Sequence, residues 1–190
     1  MKRLFIILAA AVITASMMAE NHLKFKGVEI DGSPQVFAEK LAAKGFEYLG
    51  DKDGTPILKG TFAGYSDCII MIVAKDGRTA YRVGVTFPEH DTWELLYNNY
   101  VTIKEMLATK YGKPVSDVEE WQGLGREPRD DNSKMHELRM NRLKMSASFV
   151  VPNGAITVEM LNSLMHCQVM LIYSDAINNT AAIQHAIDDL

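Results

Sequence analysis

Three alternations in succession, between Ile57 and Phe87, restrict what this chain can fold into more than any other stretch. Leu58, Gly60, Phe62 and Gly64 alternate with Lys59, Thr61 and Ala63, the period of two that a strand with one buried face requires. Cys68 to Ala74 is apolar at both parities, and Tyr81, Val83, Val85 and Phe87 alternate with Arg82, Gly84 and Thr86. Asp76-Gly77 is placed to join the last two strands through a type I′ turn. The spacing predicts an antiparallel meander whose most apolar strand lies in the middle.

A second set of strand signals begins at Met145. Met145, Ala147, Phe149 and Val151 alternate with Ser146 and Ser148, Asn153-Gly154 supplies a hairpin turn, and Ile156, Val158 and Met160 alternate with Thr157 and Glu159. Cys167 to Tyr173 is again apolar at both parities. Each meander has a helix before it. Ser33 and Pro34 form a cap and first turn for a helix that buries Phe37 and Leu41 and ends by Gly45. Phe46 to Leu49 then reads as a short strand and Gly50 to Thr55 as a turn. Asp91 and Glu94 suggest a capping box for a second helix with the stripe Trp93, Leu96, Tyr100, Ile103, Leu107 and Tyr111. Residues 115–134 read as an irregular surface connection, with one helical turn at Ser116 to Trp121. A last helix from about Asp175 or Asn178 is expected to bury Ile177, Ile183 and Ile187. The order of elements predicts an α+β fold, an antiparallel sheet built from two three-stranded meanders and packed by helices. Glu39 to Gly45 and Glu105 to Gly112 share enough residues to suggest a worn helix-plus-meander repeat.

The N-terminus bears on location. Lys2 and Arg3 precede the apolar run Leu4 to Ile13, and Thr14, Ala15, Ser16 and Ala19 precede Glu20-Asn21-His22. This is the pattern of a secretory signal peptide over residues 1–19. Cleavage after Ala19 would put Met17 at the minus-three position, and Ala15 and Ser16 stay open as alternatives. The run is too short to span a bilayer, which takes about 20 apolar residues, and no cysteine ends it to be acylated. The expectation is a periplasmic or secreted protein without a transmembrane anchor, a single domain over residues 20–190. The net charge of the 190 residues is −4. That mild acidity argues against a nucleic-acid partner, which calls for a basic stripe.

No stretch supplies catalytic or cofactor chemistry. Asp51, Asp53 and Gly54 begin like a calcium loop, but the glycine comes too early and no glutamate follows at the twelfth position. Gly64-Tyr65-Ser66-Asp67-Cys68 departs from a nucleophile elbow at its last position. Gly123 and Gly125 lack the strand and helix of a phosphate loop. His22, His90, His136, His166 and His185 show no short ligand spacing. Glu89-His90-Asp91 is the best local set of proton-transfer groups, at a helix start where Asp91 already has a capping role. The reading therefore names no catalytic residue, metal or cofactor. Cys68 and Cys167 read as two buried free thiols, with a disulfide between them as the alternative. Trp121, in the irregular segment, is the aromatic residue left free to anchor a partner, given the enrichment of Trp at binding hot spots.

The pattern Phe25-x-Gly27-Val28-x-Ile30-x-Gly32, then Gly45-Phe46, Gly60-x-Phe62-x-Gly64, Trp93, Lys110-Tyr111-Gly112-x-Pro114 and Tyr173-Ser174-Asp175 covers most of the chain after the leader. It resembles small exported proteins of unknown function of the Bacteroidales type, a likeness that implies export and fold but no activity. By element order alone the chain is also similar to helix-plus-sheet repeats of periplasmic inhibitors such as β-lactamase inhibitory protein. The function expected is a soluble exported module that binds a protein or small ligand. The alternatives are a periplasmic enzyme acting on cell-envelope or small-molecule substrates and an inhibitor-like protein of a periplasmic hydrolase.

Overall fold

A computed structural model describes residues 21–75, 77–123 and 125–188, and the side chains of the last helix as far as residue 183. The expected signal peptide, Asp76 of the expected Asp76-Gly77 turn and the Ile187 side chain lie outside the described residues. A two-stranded arm, β1 (Lys24–Phe25) and β2 (Val28–Glu29), leads into α1 (Pro34–Ala42) and the strands β3 (Glu47–Lys52), β4 (Thr55–Phe62), β5 (Tyr65–Lys75) and β6 (Thr79–Thr86). Helix α2 (Trp93–Tyr111) opens the second half, followed by β7 (Ser116–Trp121), α3 (Asp131–Arg139), β8 (Leu143–Val151), β9 (Gly154–Ser163), β10 (His166–Asp175) and α4 (Ala176–Asp188).

The fold is α+β, and its eight-stranded antiparallel sheet runs β3-β4-β5-β6-β10-β9-β8-β7. Each half is a helix followed by four strands laid out in order, and the two halves meet where β6 pairs with β10. The expected three-stranded meanders are each flanked by an outer strand. In the first, β3 extends the short strand expected at Phe46 to Leu49 into the first half of the segment read as the Gly50 to Thr55 turn, and the chain turns at Asp53 (φ 51°) and Gly54 (φ 76°). The second gains β7, where one helical turn was expected. Its sequence Asp117-Val118-Glu119-Glu120 hides a strand because an edge position allows charge on both faces. The expected irregular connection also contains α3, capped by Asp130, whose carboxylate accepts from the Ser133 amide at 2.9 Å.

Register assigns the faces. Leu58, Ile70, Val85, Leu171, Val158 and Ala147 stand in one row across the sheet. All belong to one continuous buried cluster with Phe37 and Leu41 of α1 and Leu96, Ile103 and Leu107 of α2. Both helices therefore cover the same face. Ser33 caps α1 as expected, accepting from the Val36 amide at 3.3 Å. At α2 the N-cap is Thr92 rather than Asp91, without a side-chain bond, and Asp91 stays in solvent. The hairpin expected at Asn153-Gly154 turns one residue earlier: Val151 pairs with Gly154, leaving Pro152 and Asn153 (φ 69°) as the loop. Ile183 of α4 is 53% exposed rather than buried, and Ile177 is half-buried.

The arm is clasped to the end of β10 by Asp175, which is fully buried. Its carboxylate accepts from the Leu23 amide at 2.6 Å and the Asn178 amide at 2.9 Å, and lies 3.0 Å from His22 Nδ1. Asn178 Nδ2 donates to the carbonyls of Ile30 and Ala80, both at 3.1 Å. Burial disfavours the charged His22 imidazole, but its bond to Asp175 and the negative charges of Asp175, Asp31 and Glu29 outweigh this and raise its pKa. A raised folded-state pKa stabilises the fold below the ordinary histidine value of about 6.5, and that contribution disappears as pH climbs through the folded value. Asp31 shifts the opposite way. Burial raises its pKa, yet bonds from the Gly32 amide and Asn178, together with His22, lower it further, so its contribution fades only in the acid range. Urea midpoints measured between pH 5.5 and 8.5 are thus expected to fall through the histidine range in the wild type. In His22→Gln this fall should be much reduced, and equal slopes in the two proteins would show that the clasp does not titrate.

Candidate protein-binding face

The strands alternate, so the residues between the buried ones form a second face. Ile57, Ile69, Met71, Val73, Met170 and Ile172 occupy its middle, and all are half-buried. None belongs to the buried cluster under α1 and α2. Among the described residues helix α4 meets this face at one end, where Arg82 donates to Asn179 Oδ1 at 3.0 Å and Lys75 to the Ala182 carbonyl at 3.4 Å. The two strands that read as apolar at both parities, β5 and β10, are therefore interior strands on either side of β6, covered by α1 and α2 on one face and, among the described residues, by α4 at one end of the other.

Gly84 sits at the centre of this second face, between Met71 and Ile172. A Cβ there would meet the Met170 methyl at 2.6 Å and the Met71 methyl at 3.3 Å, so the two thioether chains close over the glycine as a flexible lining. Methionine adapts its shape to what it packs against because it is unbranched and polarisable. Around this centre lie hydroxyls, with Ser148 Oγ 2.9 Å from Thr157 Oγ1, and the largely buried Thr86. Glu159 stands beside Met170 and Ser146. Desolvation raises its pKa and the positive charge of Lys144 only partly offsets this. An apolar centre, a rim of hydroxyls and one poorly compensated carboxylate match the anatomy of a protein interface.

The sheet's edges are less inviting. The outer strand β3 carries Glu47, Asp51 and Lys52 and is irregular at Gly50, while β7 carries Asp117, Glu119 and Glu120. Charged and bulged edges discourage strand addition. What the sheet offers is its face.

The residues singled out in the sequence fall elsewhere. Trp121 is 9% exposed and packs on the helix side, its ring centroid 5.7 Å from that of Trp93, with Nε1 donating to Glu119 at 3.0 Å. Its indole is thus committed to the interior and leaves little surface for a partner. Cys68 and Cys167 are both buried free thiols. They lie on β5 and β10 with β6 between and are out of register by two residues, so their backbones are separated by at least about 9.6 Å, two strand spacings. A disulfide spans Cα atoms at most about 6.8 Å apart. Burial pushes both thiols up from the ordinary pKa. Glu89 does meet a histidine, His166, at 2.7 Å, but both side chains are more than half exposed. At His22 both ring nitrogens face carboxylates, Asp175 at 3.0 Å and Asp31 at 3.8 Å, which suits a clasp better than a proton shuttle. Among the described residues no group of three or more His, Cys, Asp or Glu side chains converges as a metal site would require. Among the same residues no helix is long and apolar enough to cross a membrane.

Double apolarity at Cys68 to Ala74 and Cys167 to Tyr173 does not by itself say which parity the helices cover and which is left for a partner. The signal that separates the two parities is the residue type: Met71, Gly84 and Met170 on one, Ile70, Val85 and Leu171 on the other. Compared with family models, curated proteins and solved structures, the chain matches none.

Proposed function

We propose that this is an exported, soluble binding module, as its likeness to small exported proteins implies, and that it engages a folded protein through the open sheet face. The half-buried centre around Met71, Gly84, Met170 and Ile172 carries this reading. The partner's complementary surface presents an apolar protrusion with a Lys or Arg beside it, because Glu159 stands in a partly desolvated position that the Lys144 charge only partly offsets. Such a group gains most from a partner that brings the opposite charge.

The test begins with location and ends with affinity. Intact mass of the protein from the envelope fraction should correspond to loss of the first 19 residues. A partner captured there, identified and purified, should bind wild type but lose at least 100-fold in affinity to Ile172→Asp and about tenfold to Glu159→Gln, with urea midpoints little changed. If the partner is a hydrolase whose activity falls on binding, the module is an inhibitor. Unchanged affinity in Ile172→Asp, or sedimentation showing that wild type occupies this face with a second copy of itself, would overturn the proposal.

A further inference from the structure

The opposite face of the molecule holds a cleft of about 660 Å³, within the range of small-molecule sites. It opens at the seam of the two halves, between the arm, the end of β4, the C-terminus of α2 and the Pro152–Asn153 turn. Three aromatic side chains line it: Phe62, Tyr111 and Tyr173. Two of them come from different halves and meet edge to face, Phe62 and Tyr173 at 6.4 Å, and the arm's Phe25 stacks on Phe62 at 5.3 Å. The rings are thereby held in place. Desolvation, and next to it Tyr111, keeps the Tyr173 phenol above its ordinary pKa, so it remains a neutral hydrogen-bond donor.

The charged groups at the cleft are cationic. Lys24 pairs with Glu29 at 3.3 Å, whereas Lys26 and Lys110 have no ion pair with a described carboxylate. Each instead lies near an aromatic ring, Lys26 6.0 Å from the Phe62 centroid and Lys110 4.9 Å from that of Tyr111. Ring faces and ammonium groups therefore meet at the same place. The Asp175 carboxylate is engaged by His22, Leu23 and Asn178 and pairs with neither lysine.

We infer that this cleft binds a small organic anion built on a ring, its flat face against the aromatic side chains and its carboxylate between Lys26 and Lys110. Two sources share that chemistry, aromatic acids and sugar acids. Binding at this site is independent of the sheet face on the other side.

The experiment titrates the purified protein with benzoate, glucuronate, benzyl alcohol, glucose and inorganic phosphate, following tyrosine ring resonances by NMR. At least one ring acid is expected to bind ten or more times tighter than its neutral counterpart and than phosphate. Benzoate and glucuronate tell the two sources apart. Lys26→Gln with Lys110→Gln should weaken that binding at least tenfold while leaving the urea midpoint unchanged, and Ile172→Asp should leave it intact. Both lysines are at the cleft mouth, so their replacement does not endanger folding. The inference is overturned if neither acid binds at millimolar concentration, if the neutral ring binds as well, or if the double lysine variant binds as tightly as wild type.

Discussion

Truncating Leu171 to Ala is expected to cost about 2–5 kcal/mol, the range of buried large-to-small changes, while truncating its neighbour Ile172 costs roughly 1 kcal/mol or less. Leu171 is 2% exposed, in the cluster beneath α1 and α2, whereas Ile172 is half-buried on the face those helices do not reach. The same contrast is expected one half away between Ile70, fully buried, and Met71. Urea melts of the four single variants decide it. Similar losses at both members of a pair would mean that the second face is covered after all, and with that the proposed binding surface would go.

Removing the Asp175 carboxylate should be of similar size. Asp175→Ala leaves the Leu23 and Asn178 amides and His22 without their acceptor. Hydrogen bonds to a charged group contribute about 1.5–3 kcal/mol each, and stranding buried donors adds to the loss. Water entering the gap recovers part of this, so the expected destabilisation is about 3–5 kcal/mol. Asp175→Asn keeps an acceptor oxygen but not the charge, and should fall between wild type and Ala. Amide hydrogen exchange gives an independent reading: the Leu23 amide, slow in the wild type, should exchange near the rate of an open chain in Asp175→Ala. A protected Leu23 in that variant would show that the arm is held by Phe25 packing alone.

Much of the fold was legible because burial imposes a period. The stripe from Trp93 to Tyr111 and the alternations from Leu58 to Phe87 and from Met145 to Met160 are where the structure puts a helix and strands. The elements that escaped notice lack that imprint. Strand β7 is an outer strand with one partner, and α3 buries only Met135, Glu137 and Leu138, too few for a stripe to stand out. The site was harder still. Trp121 drew attention because its segment looked unstructured, yet a strand turns it inward against Trp93. The open face was concealed within strands that look like pure core, since hydrophobicity at one position does not record which layer lies above it. The cleft joins Phe62, Tyr111 and Tyr173 from distant segments, which no local pattern can announce.

The pairing of β6 with β10 also sets a schedule. Strand β6 is complete once Thr86 has been made, but the strand that registers against it, Met170 opposite Thr86 and Ser174 opposite Arg82, is the last of the sheet to be synthesised. Until then the first half carries two open edges, and the inner one, lined by Val83 and Val85, has a single charged side chain, Arg82, against the three that guard β3. Contacts so distant along the chain form slowly because the loop must close first. A nascent chain of this design cannot lock its two halves together before β10 leaves the ribosome, and a chain cut short before β10 would expose a strand edge ready to pair with its neighbours.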